Sequence, residues 1–137
     1  MTGRARALAT LETYYGAFNA GDQEAMLACL TGDVAHDINQ GGRQTGKDAF
    51  RSFLQHMDRT YAEQLADIAI MANDEGTRGA AEFIVHGKYL ADDEGLPPAT
   101  GQAYVLPAGA FFDLKDGLIS RVSVYYNLTD WIAQVGG

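Results

Sequence analysis

Three polar side chains that could do chemistry lie close together in the segment VAHDINQGG, residues 34–42: His36, Asp37 and Asn39. The ordinary pKa of a histidine, about 6.5, lies near operating pH, so His36 is a candidate general base. The segment begins like a strand and ends in a glycine turn, and side chains alternate between the two faces of a strand. His36 therefore faces one side, and Asp37 and Asn39 face the other. Alternatively, all three complete hydrogen bonds at the strand end and have no catalytic role.

Helices precede this segment and follow it. Apolar residues recur at three- and four-residue steps over residues 8–18, which predicts one face of a helix that ends at NAGD. Asp22 is placed to cap a second, short helix with the sequence QEAMLACL, and Thr45 with Asp48 predicts a capping box for a third. Five apolar or aromatic side chains then share one face of that third helix: Phe50, Phe53, Leu54, Met57 and Tyr61.

Strands dominate the rest of the chain, where the apolar period changes from about 3.6 to about 2. Besides residues 33–39, the predicted strands are residues 65–72, 78–90, 103–114 and 118–127. The turn at residues 115–117 predicts a hairpin, DDEGLPPATG an exposed loop, and LTDWIAQV a last helical turn. Helices first and strands later predict an α+β fold in one domain, residues 1–137.

Composition limits the partners and the compartment. The formal charge is −8, from 18 acidic and 10 basic residues, which disfavours nucleic acid because the phosphate backbone would be repelled. No stretch approaches the ~20 apolar residues of a membrane span, and the first residues lack the apolar run of a secretory signal. The single cysteine, Cys29, permits no internal disulfide and is typical of a small buried side chain. We expect a cytoplasmic protein without a membrane partner.

Two patterns that could indicate a cofactor are better explained otherwise. Residues 41–47 read G-x-x-x-x-G-K, but Asp48 stands where a phosphate-binding loop has Ser or Thr, and its carboxylate would oppose the phosphates. The three histidines, His36, His56 and His86, have no His or Cys neighbour at metal-ligand spacing. We therefore expect neither a metal nor an organic cofactor.

The segment TYYGAFNAGDQEAMLACLTGDVAHD resembles ketosteroid isomerase and, more broadly, the nuclear transport factor 2-like superfamily with its SnoaL-like polyketide cyclases. The C-terminal YYNLTDWIAQVGG is similar to the closing strand and helix of SnoaL-like domains. The resemblance covers nearly the whole chain and is closest to ketosteroid isomerase-related proteins. It implies a cone in which a curved antiparallel or mixed sheet wraps around three N-terminal helices and an apolar pocket, usually as a dimer.

The resemblance also implies catalytic positions, and this chain keeps one of three. In the isomerase, a tyrosine and a neutral acid hold the oxyanion while a second acid shuttles the proton. The tyrosine corresponds to Tyr14, but the base corresponds to Ile38 and the oxyanion acid to Gly109, neither of which can exchange a proton. If Ile38 faces the pocket, His36 does too and becomes the base; after a bulge or a one-residue slip, Asp37 takes that role. The candidate catalytic residues are Tyr14, His36, Asp37 and Asn39.

Apolar side chains are expected to line the pocket of this cone. If the Gly109 position faces inward, Val105, Pro107 and Phe111 share its side. The expected lining residues are Phe18, Ile38, Phe53, Phe83, Val85, Val105, Pro107, Gly109, Phe111, Tyr125, Asn127 and Trp131. A mainly apolar pocket with few polar groups suits a flat hydrophobic ligand.

Three functions are compatible with these features. The first is a proton-transfer enzyme (isomerase, cyclase or dehydratase) acting on a small apolar carbonyl compound, in which His36 or Asp37 moves the proton and Tyr14 hydrogen-bonds the enolate. The second is a non-catalytic protein that binds a small hydrophobic ligand, and the third is an interaction module whose pocket is filled by its own side chains. A homodimer is expected from the resemblance and from the mixed strand face of Glu82, Ile84, His86 and Lys88.

Overall fold

A computed structural model describes residues 2–136, which form four helices and one six-stranded sheet. The helices are α1 (Gly3–Ala20), α2 (Gln23–Ala28), α3 (Lys47–Thr60) and α4 (Leu128–Gly136). The strands are β1 (Leu30–Asp37), β2 (Arg43–Thr45), β3 (Tyr61–Ala72), β4 (Arg78–Tyr89), β5 (Ala103–Lys115) and β6 (Leu118–Tyr126). Over these residues, no helix has the length and apolar character needed to cross a membrane.

The NAGD break between α1 and α2 forms as the sequence predicts. Gly21 ends α1 in the left-handed region with a φ of 71°, which a residue without a Cβ adopts at little cost. The next residue, Asp22, accepts a hydrogen bond from the Ala25 amide and so caps α2. The chain therefore turns within two residues, and α2 packs beside α1.

The start of α3 differs from its prediction. Thr45 does not open a capping box with Asp48, because Thr45 is the last residue of the short strand β2. The cap position is instead Gly46, with a φ of 102° and no side-chain hydrogen bond to the helix. Phe50 is buried as expected, whereas Tyr61, expected on this helix, is the first residue of β3.

The sheet has the strand order β2-β1-β6-β5-β4-β3. The β1–β6 pair is parallel and the other four pairs are antiparallel. Helices α1 and α3 pack on one side of this curved sheet, which confirms the α+β fold class and the mixed sheet around N-terminal helices. Strand β2 was not predicted; β1 begins before residue 33, and β3 begins before residue 65.

Alternation along the strands gives the sheet an inner face toward the helices and an outer face away from them. On β5 the inner side chains include Tyr104, Leu106, Ala110 and Phe112, all buried. The outer side chains of the same strand include Val105 and Phe111, which are 50% and 49% exposed. The core therefore lies between the inner face and the helices, and the outer face is open along its apolar centre.

Candidate active site

His36 lies on the inner face near the end of β1 and is only 4% exposed. The centroid of its ring lies 4.6 Å from the ring centroids of both Phe50 and Phe53 on α3. Burial against these rings lowers the pKa of His36 to about 4, because the charged form loses its hydration, while the Asp37 carboxylate acts in the opposite direction. Within residues 2–136 its Nδ1 atom has no hydrogen-bond partner. His36 is therefore a neutral imidazole at pH 7 with a free polar atom inside the core.

Asp37 faces the outer side of the sheet, so the interpretation in which it is an interior base is wrong. Its carboxylate accepts hydrogen bonds from Arg43 Nε at 2.6 Å and from Ser123 Oγ at 2.6 Å. Ser123 Oγ accepts one from Arg121, whose guanidinium also pairs with Asp113. The hydrogen bonds from Arg43 and Ser123 hold the pKa of Asp37 well below its usual range. Asp37 thus belongs to a chain of ion pairs and hydrogen bonds that we call the outer network.

Asn39 follows the last residue of β1, so strict strand alternation does not extend to it. Its Oδ1 accepts a hydrogen bond from the Tyr126 amide at 3.4 Å, and its Nδ2 is buried without a partner among the described residues. Burial raises the pKa of the Tyr126 hydroxyl. Asn39 and Tyr126 mark the end of the cone where β1 and β6 end, which we call the α4 end because α4 packs there.

Tyr14, the residue that corresponds to the isomerase tyrosine, lies on α1 and is 6% exposed. Its ring packs edge-on against Tyr15 at 5.2 Å and Phe112 at 6.0 Å between centroids. Burial raises the pKa of its hydroxyl, so the group stays neutral and able to donate a hydrogen bond. The aromatic packing is what a core tyrosine requires, and a catalytic role for Tyr14 stays a prediction.

The residues of β5 that face the interior are not the predicted ones. The prediction that Gly109 faces inward is wrong. Gly109 pairs with Glu82 and Tyr125 on the outer face. Its inner neighbours Ala108 and Ala110 carry no polar group, so β5 supplies no oxyanion acid at this level. Four predicted lining residues of β5 therefore face outward: Val105, Pro107, Gly109 and Phe111. The one-residue offset reverses the facing of the whole strand segment.

The other predicted lining residues divide between the interior and the surface. Five pack in or against the core: Phe18, Phe53, Phe83, Val85 and Trp131. Ile38 is half-buried and lies in the turn after β1, over Gly41. Tyr125 is 58% exposed on the outer face, and Asn127 is exposed and caps α4 through a hydrogen bond from the Asp130 amide to its Oδ1. Tyr125 and Asn127 therefore do not close the interior, whereas Trp131 does.

An acidic group on the inner face was missed from the sequence. Glu63 lies on β3 opposite Gly87, which in turn lies opposite Tyr104 of β5. The Tyr104 hydroxyl donates a hydrogen bond of 2.5 Å to Glu63 Oε2. Burial raises the pKa of Glu63, and this hydrogen bond acts in the opposite direction. The sequence signal for Glu63 is the alternation Tyr61-x-Glu63-x-Leu65, which extends β3 before its predicted start at residue 65.

A second carboxylate at the α4 end fastens the loop between β4 and β5. The Tyr61 hydroxyl donates to Asp93 Oδ2 at 2.7 Å, and His56 Nε2 lies 3.1 Å from Asp93 Oδ1. Burial of Asp93 raises its pKa, but the hydrogen bonds from Tyr61 and His56 outweigh this and leave it lowered. Tyr89 accepts a hydrogen bond from the Asp93 amide through its hydroxyl. The loop predicted to be exposed is therefore tied to the core at this point.

The Phe50 and Phe53 rings cover His36 in this structure. Two surface grooves of about 320 and 360 Å³ lie elsewhere, against the first turn of α1 and between α1 and β3. Neither groove is lined by His36 or Glu63. In the part of the chain that the structure describes, no group of three or more His, Cys, Asp or Glu side chains is arranged to hold a metal ion.

Comparison with known proteins places this geometry in a family. A family model described as the SnoaL-like domain matches residues 11–122. A protein from Pseudomonas putida KT2440, titled a "putative polyketide cyclase", is 60% identical, with a TM-score of 0.93 and coverage of 98% of both chains. A protein with the same description from Silicibacter sp. TM1040 is 52% identical, with a TM-score of 0.95 and coverage of 100% of this chain and 99% of that one. Among curated proteins no match is found.

More distant structures share the fold alone. An NTF2-like protein of unknown function from Burkholderia pseudomallei K96243 has 17% identity and a TM-score of 0.80, with coverage of 96% of this chain and 98% of that one. The inward helices, the mixed sheet and these matches agree with one another. The chain therefore belongs to the SnoaL-like domain family, and it shares its fold with the NTF2-like protein.

Proposed function

We propose that the protein is a proton-transfer enzyme (an isomerase, cyclase or dehydratase) that acts on a small, mostly apolar carbonyl compound. The observation that carries the proposal is the buried imidazole of His36, set against two phenyl rings with its Nδ1 atom unpartnered among the described residues. A buried polar atom without a partner costs roughly 1–3 kcal/mol, a penalty that a ligand oxygen would relieve. The "putative polyketide cyclase" descriptions of proteins 52 to 60% identical support the same class of reaction.

The role that suits His36 follows from its neutral state. With a pKa of about 4, the imidazole is a weak base at pH 7, but in the tautomer with hydrogen on Nδ1 it donates a hydrogen bond. A neutral donor aimed at a carbonyl oxygen stabilises the negative charge that develops when the adjacent carbon loses a proton. The assignment of His36 as the base, and of Tyr14 as the donor, stays a prediction.

We propose that a ligand reaches His36 past the Phe53 ring of α3. Of the two rings that cover the imidazole, Phe50 is buried and Phe53 is only partly buried. We therefore expect rotation of Phe53 to cost less than movement of Phe50, because Phe53 is the less buried ring. The space vacated by Phe53 is apolar, which suits a flat hydrophobic substrate.

Proton exchange in D2O tests the proposal without knowledge of the natural substrate. A flat aromatic ketone such as tetralone loses its α-hydrogens to solvent when an enolate forms, and NMR follows the exchange. We expect the wild-type protein to accelerate the exchange and His36→Phe to lower the rate by roughly 10²-fold or more, as for removal of an oxyanion donor. His86→Phe, on the outer face, is the matched control and should exchange like the wild type. A wild-type protein that neither exchanges the ketone nor binds a naphthol would overturn the proposal.

The alternative is a non-catalytic protein that binds a small hydrophobic ligand. It is favoured by the loss of both isomerase acids, whose positions are Ile38 and the outward Gly109. Binding of a naphthol with no acceleration of ketone exchange would select this alternative.

We further propose that two copies of the chain form a homodimer through the outer face of the sheet, and that the protein works in the cytoplasm. Val105, Phe111 and Tyr125 leave about half of their surfaces exposed on this face. Charges of both signs surround this apolar centre, so a second copy related by a twofold axis can bring basic and acidic side chains together around it. Sedimentation at micromolar concentration tests the dimer, and a monomer there would contradict it.

A further inference from the structure

We propose that Glu63 is the catalytic base of the proton transfer, and that Tyr104 is the positioning residue that aims it. The inference rests on the proposed function and names a group for which neither the sequence nor the comparisons assign a role. It stands on a three-strand arrangement on the inner face, formed by Glu63 on β3, Gly87 on β4 and Tyr104 on β5.

Gly87 makes the arrangement possible because it has no side chain. A Cβ at this position would overlap the Tyr104 ring and its hydroxyl. The ring therefore lies directly across the backbone of β4 and brings the hydroxyl to within 2.5 Å of Glu63 Oε2. The hydrogen bond between Tyr104 and Glu63 thus joins β5 to β3 across β4, and the absence of a side chain at Gly87 makes room for it.

The two partners differ in how far a ligand can reach them. Tyr104 is only 2% exposed and packs edge-on against Trp131 of α4 at 5.8 Å between centroids. Glu63 remains partly exposed, and only one of its two carboxylate oxygens is used by Tyr104 among the described residues. The Glu63 carboxylate is therefore the group that a substrate can contact, and the Tyr104 hydroxyl fixes its orientation.

The surroundings of Glu63 suit a base that shares a substrate with His36. Besides Tyr104, Tyr126 lies close enough to Glu63 for the carboxylate to raise the pKa of its hydroxyl. The Tyr126 amide also donates a hydrogen bond to Asn39, which follows His36 by three residues. Burial raises the pKa of Glu63, which makes its carboxylate a stronger base than an exposed glutamate. His36, in contrast, is kept neutral, so the two groups divide the work of accepting a proton and donating a hydrogen bond.

The step balances without any further reagent. Glu63 Oε1 takes the hydrogen from the carbon next to the carbonyl as a proton, and the electron pair of that C–H bond forms the enolate. The enolate oxygen accepts a hydrogen bond from His36 Nδ1. The protonated Glu63 then returns the proton to another carbon of the substrate, or to solvent in the exchange reaction, and the carboxylate is restored.

Four proteins test the assignment by the same ketone exchange: the wild type, Glu63→Gln, Tyr104→Phe and the control Glu82→Gln, whose carboxylate lies on the outer face. We expect Glu63→Gln to lose roughly 10²–10⁴ in rate and Glu82→Gln to match the wild type. Tyr104→Phe keeps the carboxylate but removes the hydrogen bond that lowers its pKa, so the pH midpoint of the exchange should rise. A purely structural role for Tyr104 would leave that midpoint unchanged.

Carbon-13 NMR of the glutamate carboxyl groups gives a second readout that does not depend on turnover. Addition of a naphthol to the wild type should shift the Glu63 resonance and leave that of Glu82 in place. A wild-type protein that exchanges the ketone while Glu63→Gln retains its rate would overturn the assignment and leave the proposed function intact. A Glu63 resonance unmoved by a naphthol that binds would also overturn it, whereas no exchange and no binding would overturn the proposed function as well.

Discussion

His36 and Asp37 are neighbours in the chain, yet the sheet gives them opposite environments. His36 is buried against two phenyl rings, and burial lowers its pKa to about 4 by penalising the charge. Asp37 is bound by Arg43 and Ser123 on the outer face, and these partners lower its pKa by favouring the charge. The two shifts have the same direction and opposite physical causes.

This difference shows how one strand can serve two purposes. The outer side of β1 continues into the outer network, which runs through Ser123, Arg121 and Asp113 to Arg78 and ties together neighbouring strands. On the inner side, His36 Nδ1 has no partner within residues 2–136, which is unfavourable for stability unless a ligand supplies one. Polar groups on the outer face therefore stabilise the sheet, and those on the inner face are the candidates for chemistry.

The largest expected effect compares adjacent residues of β5. Phe112→Ala should lower the free energy of unfolding by about 3–5 kcal/mol, because this side chain is fully buried on the inner face. Phe111→Ala should cost the monomer less than about 1 kcal/mol, since half of its surface is exposed. Urea unfolding measures both values. Equal losses at protein concentrations where the chain is monomeric would contradict the division into inner and outer faces.

Acid titration of stability should separate His36 from Asp37. The pKa of His36 is about 4 in the folded chain and 6.5 unfolded, so the unfolded state binds the extra proton and the contribution of His36 is lost as pH falls from about 6.5 to 4. The loss reaches roughly 3 kcal/mol at the acidic end of that window. His36→Phe should remove this part of the pH dependence.

Asp37 should affect the pH dependence of the free energy of unfolding only at lower pH. Its folded pKa is depressed, so the stability it contributes is present above its ordinary value of 3.8 and is lost below it. Asp37→Asn should therefore flatten the curve only below about pH 4. Urea unfolding of both variants between pH 3 and pH 8 measures the free energy of unfolding against pH. If the His36→Phe curve runs parallel to that of the wild type between pH 4 and pH 6.5, the imidazole is not held neutral.

The sequence predicted most of the fold because the local signals agree with the tertiary structure. The apolar stripe of α1, the Asp22 cap and the alternation in β4 to β6 each indicate the element that forms. The failures lie where several local alternatives have similar energy. Thr45 reads equally well as a helix cap and as an edge strand, and tertiary pairing with Ala35 of β1 selects the strand.

The site was harder to predict because side-chain facing depends on register. An offset of one residue placed Gly109 inside and reversed the facing of the residues grouped with it on β5. The facing of His36 could be argued from alternation, but its unpartnered Nδ1 depends on packing by α3, to which the sequence gives no signal. Glu63 was missed because its partner Tyr104 is 41 residues away, and only the pairing of three strands brings the two together.

The smallest expected effect concerns Gly87, which lies beneath the hydrogen bond between Tyr104 and Glu63. Gly87→Ala should lower the free energy of unfolding by about 1–3 kcal/mol, because the new methyl group would overlap the Tyr104 ring and force it off β4. Gly42→Ala is the matched control: nothing lies within 4 Å of its added Cβ, so its stability should stay near that of the wild type. The displaced ring could no longer reach Glu63, so Gly87→Ala should also show the raised pH midpoint expected of Tyr104→Phe. A Gly87→Ala protein that is destabilised but keeps the wild-type midpoint would mean that the ring moves without losing its hydrogen bond, and that the glycine serves packing alone.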